Sequence, residues 1–366
     1  MKILHLASPG LGGIETYIFS HYKYMDQREF RFDFMTQNAG LRDAEEFRNF
    51  RFDVKLLHTA AGKDPEGFKK RVREILLEGY DVLHLHTCYW TGFSMEEVAR
   101  EVGIKKVIVH SHSTFIDEAD PEKRQMLFKR HEEIKRIFSP ELATDFWACS
   151  WKAAGWLFGE QIPKEKIKIM KNAIELERFQ FNPQTRERVR QELGLQNAMV
   201  LGTVGRLSYT KNHAFLISLL SEFQKEHANA KLMIIGGGEM RKELEKQVLE
   251  CGLEGKVLLL GWKSEVENYL QAMDCFLLPS RFEGNPISLI EAAAAGLPAI
   301  ISDTITEEAV FTDSIQRLPL AIPSWLSALE KTVNQSVERA RGLGVLRAGG
   351  YDIRQQAKRL EMLYRN

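Results

Sequence analysis

The stretch Ser280-Arg281-Phe282-Glu283-Gly284-Asn285-Pro286-Ile287-Ser288-Leu289-Ile290-Glu291 follows an apolar run and precedes another, at residues 299–302. Read in order it is strand, loop, helix, strand, the βαβ unit of a parallel sheet. Asn285 suits the helix cap and Pro286 its first position, while Gly296 followed by Pro298 marks its end. The exposed N–H groups of such a helix favour an anion. Glu283 lies in the approaching loop and Glu291 lies one to two turns inside. An anion at the tip would therefore have a carboxylate on each side. That combination suits a sugar nucleotide, whose diphosphate joins two hydroxyl-rich rings.

The same alternation extends along the chain. Strand-like runs fall at residues 2–7, 31–35, 82–86 and 107–110, then at 199–204, 231–235, 257–260, 275–278 and 299–302. Helical patterns fall between them, at 66–78, 122–138, 214–226 and 240–250. The pattern restarts near Met199 after a polar, proline-containing segment at 179–197. This predicts an α/β protein of two doubly wound domains, residues 1–175 and 176–350, with a boundary near 171–179. Their ligand is expected beyond the carboxyl ends of the strands, in the cleft between the domains. A helical apolar pattern closes the chain at 351–364.

Length and charge agree with this division. The 366 residues suffice for two cores, and 50 basic side chains balance 50 acidic ones, so no global field points to nucleic acid. The four cysteines have neither C-x-x-C nor zinc-ligand spacing. The opening Met1-Lys2-Ile3-Leu4-His5-Leu6 is too soon interrupted for a signal peptide. The expectation is a cytoplasmic protein, with peripheral contact at the inner face of the cell membrane left open. Residues 123–136 alternate basic pairs with Met126, Leu127, Phe128 and Ile134, a face that could rest on anionic lipid, although Glu132 and Glu133 oppose it.

Two glycine loops follow strands: Gly10-Leu11-Gly12-Gly13-Ile14-Glu15 and Gly236-Gly237-Gly238. Each lets backbone approach a phosphate or sugar closely. Neither completes the dinucleotide fingerprint, because Glu15 and Arg241 stand where the third glycine would fall. Gly205, Arg206 and Lys211 flank another strand-to-helix loop, whose two cations could neutralise a diphosphate leaving group. No D-x-D stands at a strand end, so a metal-free site is expected, with no metal and no cofactor. Asp117-Glu118-Ala119-Asp120 looks like a helicase box but lacks its phosphate loop. His110 and His112 end a strand, and period-two spacing turns both to one face. His84 and His86 form a similar pair one strand earlier and are read as lining the same cleft.

In order and spacing these motifs resemble glycosyltransferase family 4 over nearly the whole chain. The resemblance implies the GT-B fold: two Rossmann-like domains facing across a cleft, with residues 351–366 crossing back to the first. It implies retaining, metal-independent transfer of a sugar from a nucleotide donor, UDP-linked by preference, to a hydroxyl acceptor such as a lipid-linked glycan of capsule or exopolysaccharide. Arg206 and Lys211 would grip the diphosphate. Gly12, Gly13, Gly205, Gly236, Gly237 and Gly238 would bring backbone to the donor. His112 would contact the transferred sugar near the reacting centre. Glu291 would hold ribose and Glu283 the transferred sugar, with Gly284, Asn285, Pro286 and Ile287 supplying nearby contacts. Trp262 and Lys263 are candidates for flanking the base. The segment after Asp303 lacks the glycine pair common among relatives, which leaves the rim of the sugar pocket open. Competing readings are an epimerase or phosphorylase on the same fold, or a sugar-nucleotide sensor. An epimerase needs an acid/base pair and a phosphorylase a lysine-bound cofactor, and neither is evident.

Overall fold

The computed structural model describes residues 1–6, 12–43, 49–333, 339 and 342–366. Ala7, Gly10 and Leu11 lie outside the described residues. The chain forms two compact units, each with its own sheet.

The first unit comprises Met1–Ile116, Glu122–Ala173 and Ile353–Asn366. Its elements are β1 (Lys2–Leu6), α1 (Gly13–Tyr24), β2 (Arg31–Thr36), β3 (Val54–Leu56), α2 (Pro65–Leu76), β4 (Val82–Thr87), α3 (Ser94–Val102), β5 (Lys106–Ser111), α4 (Pro121–Arg136), β6 (Asp145–Ala148), α5 (Trp151–Phe158) and β7 (Ile167–Ile169). All strands pair in parallel in the order β3-β2-β1-β4-β5-β6-β7. Alternation gives the sheet two buried faces. Leu4, Leu83, Leu85, Val107 and Val109 face one core, while Ile3, Val82, Ile108 and Trp147 face the other.

The second unit comprises Asp117–Pro121 and Ile174–Asp352. It contains α6 (Pro183–Glu192), β8 (Met199–Val204), α7 (His213–Phe223), β9 (Ala230–Ile235), α8 (Arg241–Glu250), β10 (Val257–Gly261), α9 (Val266–Ala272), β11 (Cys275–Leu278), α10 (Ile287–Ala294), β12 (Ala299–Ser302), β13 (Ile315–Leu318), α11 (Ile322–Val333) and α12 (Gly342–Ala348). Its parallel order is β10-β9-β8-β11-β12-β13. The final helix, α13 (Ile353–Arg365), belongs to the first unit and packs on α1 through Ala357, Leu360 and Tyr364.

Two local expectations change. Residues 179–197 read as a polar connector, yet they hold α6, with Pro183 at its start and Asn182 accepting from the Thr185 N–H at 2.9 Å. Little of α6 beyond Val189 and Arg190 is buried, so its apolar periodicity is faint. In α10 the cap position falls on Pro286, which makes no side-chain cap bond, and Asn285 lies one residue outside. The helix ends in a Schellman arrangement. Leu297 N–H donates to Ala292 C=O, Gly296 N–H donates to Ala293 C=O, and Gly296 adopts φ +67°. Among the described residues no helix is long and apolar enough to cross a membrane. All four cysteines are free thiols.

Candidate active site

Strand order reverses once in each sheet, between β1 and β4 in the first unit and between β8 and β11 in the second. Loops leave such a reversal in opposite directions and open a crevice beyond the strand ends.

In the second unit this crevice joins two of the sequence-predicted residues. Lys211 comes from the loop after β8 and Glu283 from the loop after β11. Lys211 Nζ lies 2.5 Å from Glu283 Oε1, which also accepts from Ser280 Oγ at 2.8 Å. Their side chains are only 20% and 12% exposed, so the pair is largely withdrawn from solvent. The two loops are stitched further. Arg281 N–H donates to Thr210 C=O at 2.8 Å, Asn212 Nδ2 to Pro279 C=O at 3.2 Å, and Arg281 Nη2 to Asn212 Oδ1 at 2.9 Å. Asn212 adopts the left-handed conformation, φ +54°, at the start of α7. Asparagine tolerates that region better than most residues, and strain of this kind collects at functional sites.

Arg206 behaves differently. Its side chain is 64% exposed and pairs with Glu239 at 3.0 Å. The flanking glycines are there for space. A Cβ on Gly236 would lie 2.0 Å from Gly205 O, and one on Gly238 would lie 2.4 Å from Leu207 O. Leu207 N–H donates to Gly237 C=O at 2.9 Å and Gly205 N–H to Ile235 C=O at 2.9 Å, which seats the two glycine-bearing loops together. The Gly261 C=O at the end of β10 accepts from the Gly236 N–H at 2.9 Å. Beyond it Trp262 is 62% exposed and presents an aromatic surface. The Lys263 ammonium sits 5.7 Å from the Tyr269 ring centroid.

Glu291 lies in α10, partly buried. Burial pushes its carboxyl up to about 7; Arg178 pulls it down, Glu267 pushes it up and Lys211 pulls it down. Arg178 itself pairs with Glu267 at 2.8 Å. This arginine, from the linker ahead of α6, is a site neighbour that sequence reading missed. After β12, Thr304 Oγ1 and Ser302 Oγ both donate to Ser280 C=O, at 2.8 and 2.5 Å. They hold the peptide that carries Ser280 toward Glu283.

In the first unit Gly12 caps α1 in extended conformation, φ −153°, and its N–H donates to Glu15 Oε2 at 3.0 Å. Gly13 begins the helix, and a Cβ added to it would meet nothing within 4 Å among the described residues. At the carboxyl ends of β1, β4 and β5 the structure brings together His5, His84, His86, His110 and His112. His84, His86 and His110 are buried side chains of this unit's interior, so they do not line an open surface as a pair; His112 is partly exposed. His5 is a residue that sequence reading missed: it is the one histidine of β1, and the parallel register that sets it opposite His84 brings it to the group.

Known proteins place this architecture. A family model described as Glycosyltransferase Family 4 matches residues 11–178, and one described as Glycosyl transferases group 1 matches residues 185–336. The chain is 29% identical over 377 residues to the Putative glycosyltransferase EpsF of Bacillus subtilis, covering 99% of this chain and 96% of that one. It is 25% identical over 312 residues to the UDP-Gal:alpha-D-GlcNAc-diphosphoundecaprenol alpha-1,3-galactosyltransferase of Escherichia coli, covering 83% of this chain and 79% of that one. Among solved structures it resembles Anabaena Alr3699/HepE, crystallised in complex with UDP-glucose, with a TM-score of 0.77, 19% identity and all of both chains covered. That likeness fixes the fold alone.

Proposed function

The chain belongs to glycosyltransferase family 4, and from that premise we propose that it moves a sugar from a UDP-linked donor to a lipid-linked glycan, with retention at the anomeric carbon and without a metal ion. The observation that carries this reading is the Lys211–Glu283 pair at the β8/β11 crevice, with Glu291 on the adjoining helix. A donor laid there meets a cation for its diphosphate and two carboxylates for its hydroxyls. Similarity to the undecaprenol-linked galactosyltransferase supports a lipid-linked acceptor and a UDP donor.

The chemistry is electrostatic. Departure of the diphosphate develops negative charge, which Lys211 and Arg206 stabilise from fixed positions, aided by the N–H groups opening α10. Binding exchanges the Lys211–Glu283 contact for Lys211–phosphate and Glu283–hydroxyl contacts, so each group keeps a hydrogen-bond partner. The leaving phosphate takes the acceptor's proton on the face it vacates, which gives retention without a protein nucleophile. Glu291 accepts from the ribose diol. Gly236, Gly237 and Gly238 keep side chains out of the donor's path, and Trp262 flanks the base. On family grounds, His112 contacts the transferred sugar. The comparisons lend no support to the epimerase, phosphorylase or sensor readings.

Calorimetric titration of UDP in excess EDTA tests the donor site. Binding should persist, and UDP at about 100 times its Kd should add roughly 2.7 kcal/mol to stability. A strict requirement for magnesium or manganese would overturn the metal-free reading. The pH dependence has a defined sign. Glu291 accepts two hydroxyls only when ionised, so UDP affinity should fall as pH drops through about 7, a step absent from Glu291→Gln. Stability runs the other way: a carboxyl raised in the folded state favours folding below about 4.5 and loses that contribution as pH rises through about 7.

A further inference from the structure

The histidines of the first unit form two hydrogen-bonded chains. In one, His5 Nδ1 lies 2.9 Å from His86 Nε2, and His86 Nδ1 lies 2.8 Å from His112 Nε2. In the other, Tyr364 Oη lies 2.7 Å from His84 Nδ1, and His84 Nε2 lies 3.2 Å from His110 Nδ1. The five rings come from three adjacent strands of known register, so their contacts follow from the sheet itself.

All five imidazoles are neutral. Burial holds His5 and His112 down to about 3, and His84, His86 and His110 well below the ordinary histidine range. Each ring therefore carries one N–H, and each N···N contact needs one donor and one acceptor. The first chain then has only two states. With every proton on Nδ1, His5 donates to His86 and His86 to His112; His5 Nε2 is left as a bare acceptor and His112 Nδ1–H as a donor. With every proton on Nε2 the chain reverses, and His5 Nε2–H is left as a donor. That atom is buried and has no hydrogen-bond partner among the described residues. An orphaned buried N–H is the rarer and costlier defect. The second chain points the same way, because His110 Nε2 is likewise buried and without a partner among the described residues.

A metal explains these distances less well. One nitrogen from each of His5, His84 and His86, or of His86, His110 and His112, lies within 4.8 Å of the others. Two ligands 2.0–2.1 Å from a tetrahedral zinc stand about 3.3 Å apart. The ring contacts of 2.8–2.9 Å are hydrogen-bond distances, and His86 spends both nitrogens on neighbouring rings.

We infer that His5 and His86 are positioning residues that lock His112 in its Nδ1–H tautomer, so that His112 meets an oxygen of the bound donor as a hydrogen-bond donor and not as a base. The part concerning the donor rests on the reading of His112 given above; the tautomer does not. His112 Nδ1 has no hydrogen-bond partner among the described residues, which leaves it available for this contact.

The test begins with the unmodified full-length protein carrying 15N-labelled histidine. Long-range proton–nitrogen correlation at pH 7.5, with His112 assigned through His112→Asn, should show His5, His86 and His112 all protonated on Nδ1, unchanged down to pH 5. Protonation of His112 on Nε2 overturns the inference, as does stoichiometric zinc that survives purification and shifts these nitrogens. Variants add a kinetic readout. His5→Gln offers a replacement donor to His86 and should preserve the His112 tautomer. His5→Phe should release it and lower kcat about tenfold, the worth of one ordinary hydrogen bond, with UDP affinity unchanged. Equal kcat in the two His5 variants overturns the positioning role. If the tautomer is as expected but His112→Asn transfers sugar normally, the donor-contact reading fails and the tautomer assignment stands.

Discussion

Lys211→Ala is expected to lower kcat about 10²–10³-fold, the effect of deleting a donor that stabilises charge developing on a leaving oxygen. Steady-state kinetics with a UDP-sugar checks it. The structure adds a complication that the kinetics must be separated from. Lys211 is the ion partner of Glu283, whose side chain is 12% exposed and also accepts from Ser280. Removing the lysine leaves a largely buried carboxylate without its cation, at a cost of about 1–3 kcal/mol in stability. Adding Glu283→Gln should return much of that stability, because the remaining group is neutral, while kcat stays low. If the double variant recovers turnover along with stability, Lys211 serves folding and not the phosphate. Arg206→Ala should do less of both. Its side chain is 64% exposed and already paired with Glu239, so water replaces it more cheaply.

The two glutamates should fail differently. Glu291→Gln should weaken UDP and the intact UDP-sugar by similar factors, about 10- to 100-fold, since both ligands carry the ribose and a bond to a charged group is worth roughly 1.5–3 kcal/mol. Glu283→Gln should leave UDP affinity nearly intact while lowering donor turnover and selectivity between sugar epimers. A hydrogen-bonding contact acts only where its partner is present. Glu291 is the firmer anchor because it lies on a packed helix, whose alanines sit in the core with β11 and β12 and whose C-terminal end is closed at Gly296. Calorimetry with UDP on both variants decides between the roles: loss of UDP binding in Glu283→Gln but not in Glu291→Gln would reverse them.

Much of the architecture is written locally. Apolar runs with helical stretches between them mark the strands at the centre of each sheet, because those strands are buried on both faces and read as continuous hydrophobic segments. The short strands escape this reading. β3 and β7 span three residues each and are only partly buried, and β13 carries Gln316 and Arg317. The site divides along the same line. A carboxylate after one strand and a lysine after another are visible as residue types. That Lys211 and Glu283 meet depends on β8 lying beside β11, a pairing between residues 72 positions apart in sequence. Arg178 beside Glu291, Asn212 in a left-handed turn and the Ser302 and Thr304 hydroxyls under Ser280 are invisible for the same reason. Each is an ordinary residue whose partner arrives only with the tertiary fold. The histidines show both halves of the lesson. His110 and His112 share a face by period-two spacing, but their connection to His5 and Tyr364 needs the parallel register of three strands and a helix from the far end of the chain.

The central claim is sugar transfer with retention and without metal, and the anomeric configuration of the product tests it most directly. The full chain would be incubated in EDTA with a panel of α-linked UDP-sugars and a polyprenyl-diphosphate-linked sugar acceptor, and the new glycosidic bond read by proton NMR. Retention without a metal ion requires an α-linked product formed at the same rate with and without EDTA. A β-linked product, or transfer that begins only when magnesium or manganese is restored, would contradict it.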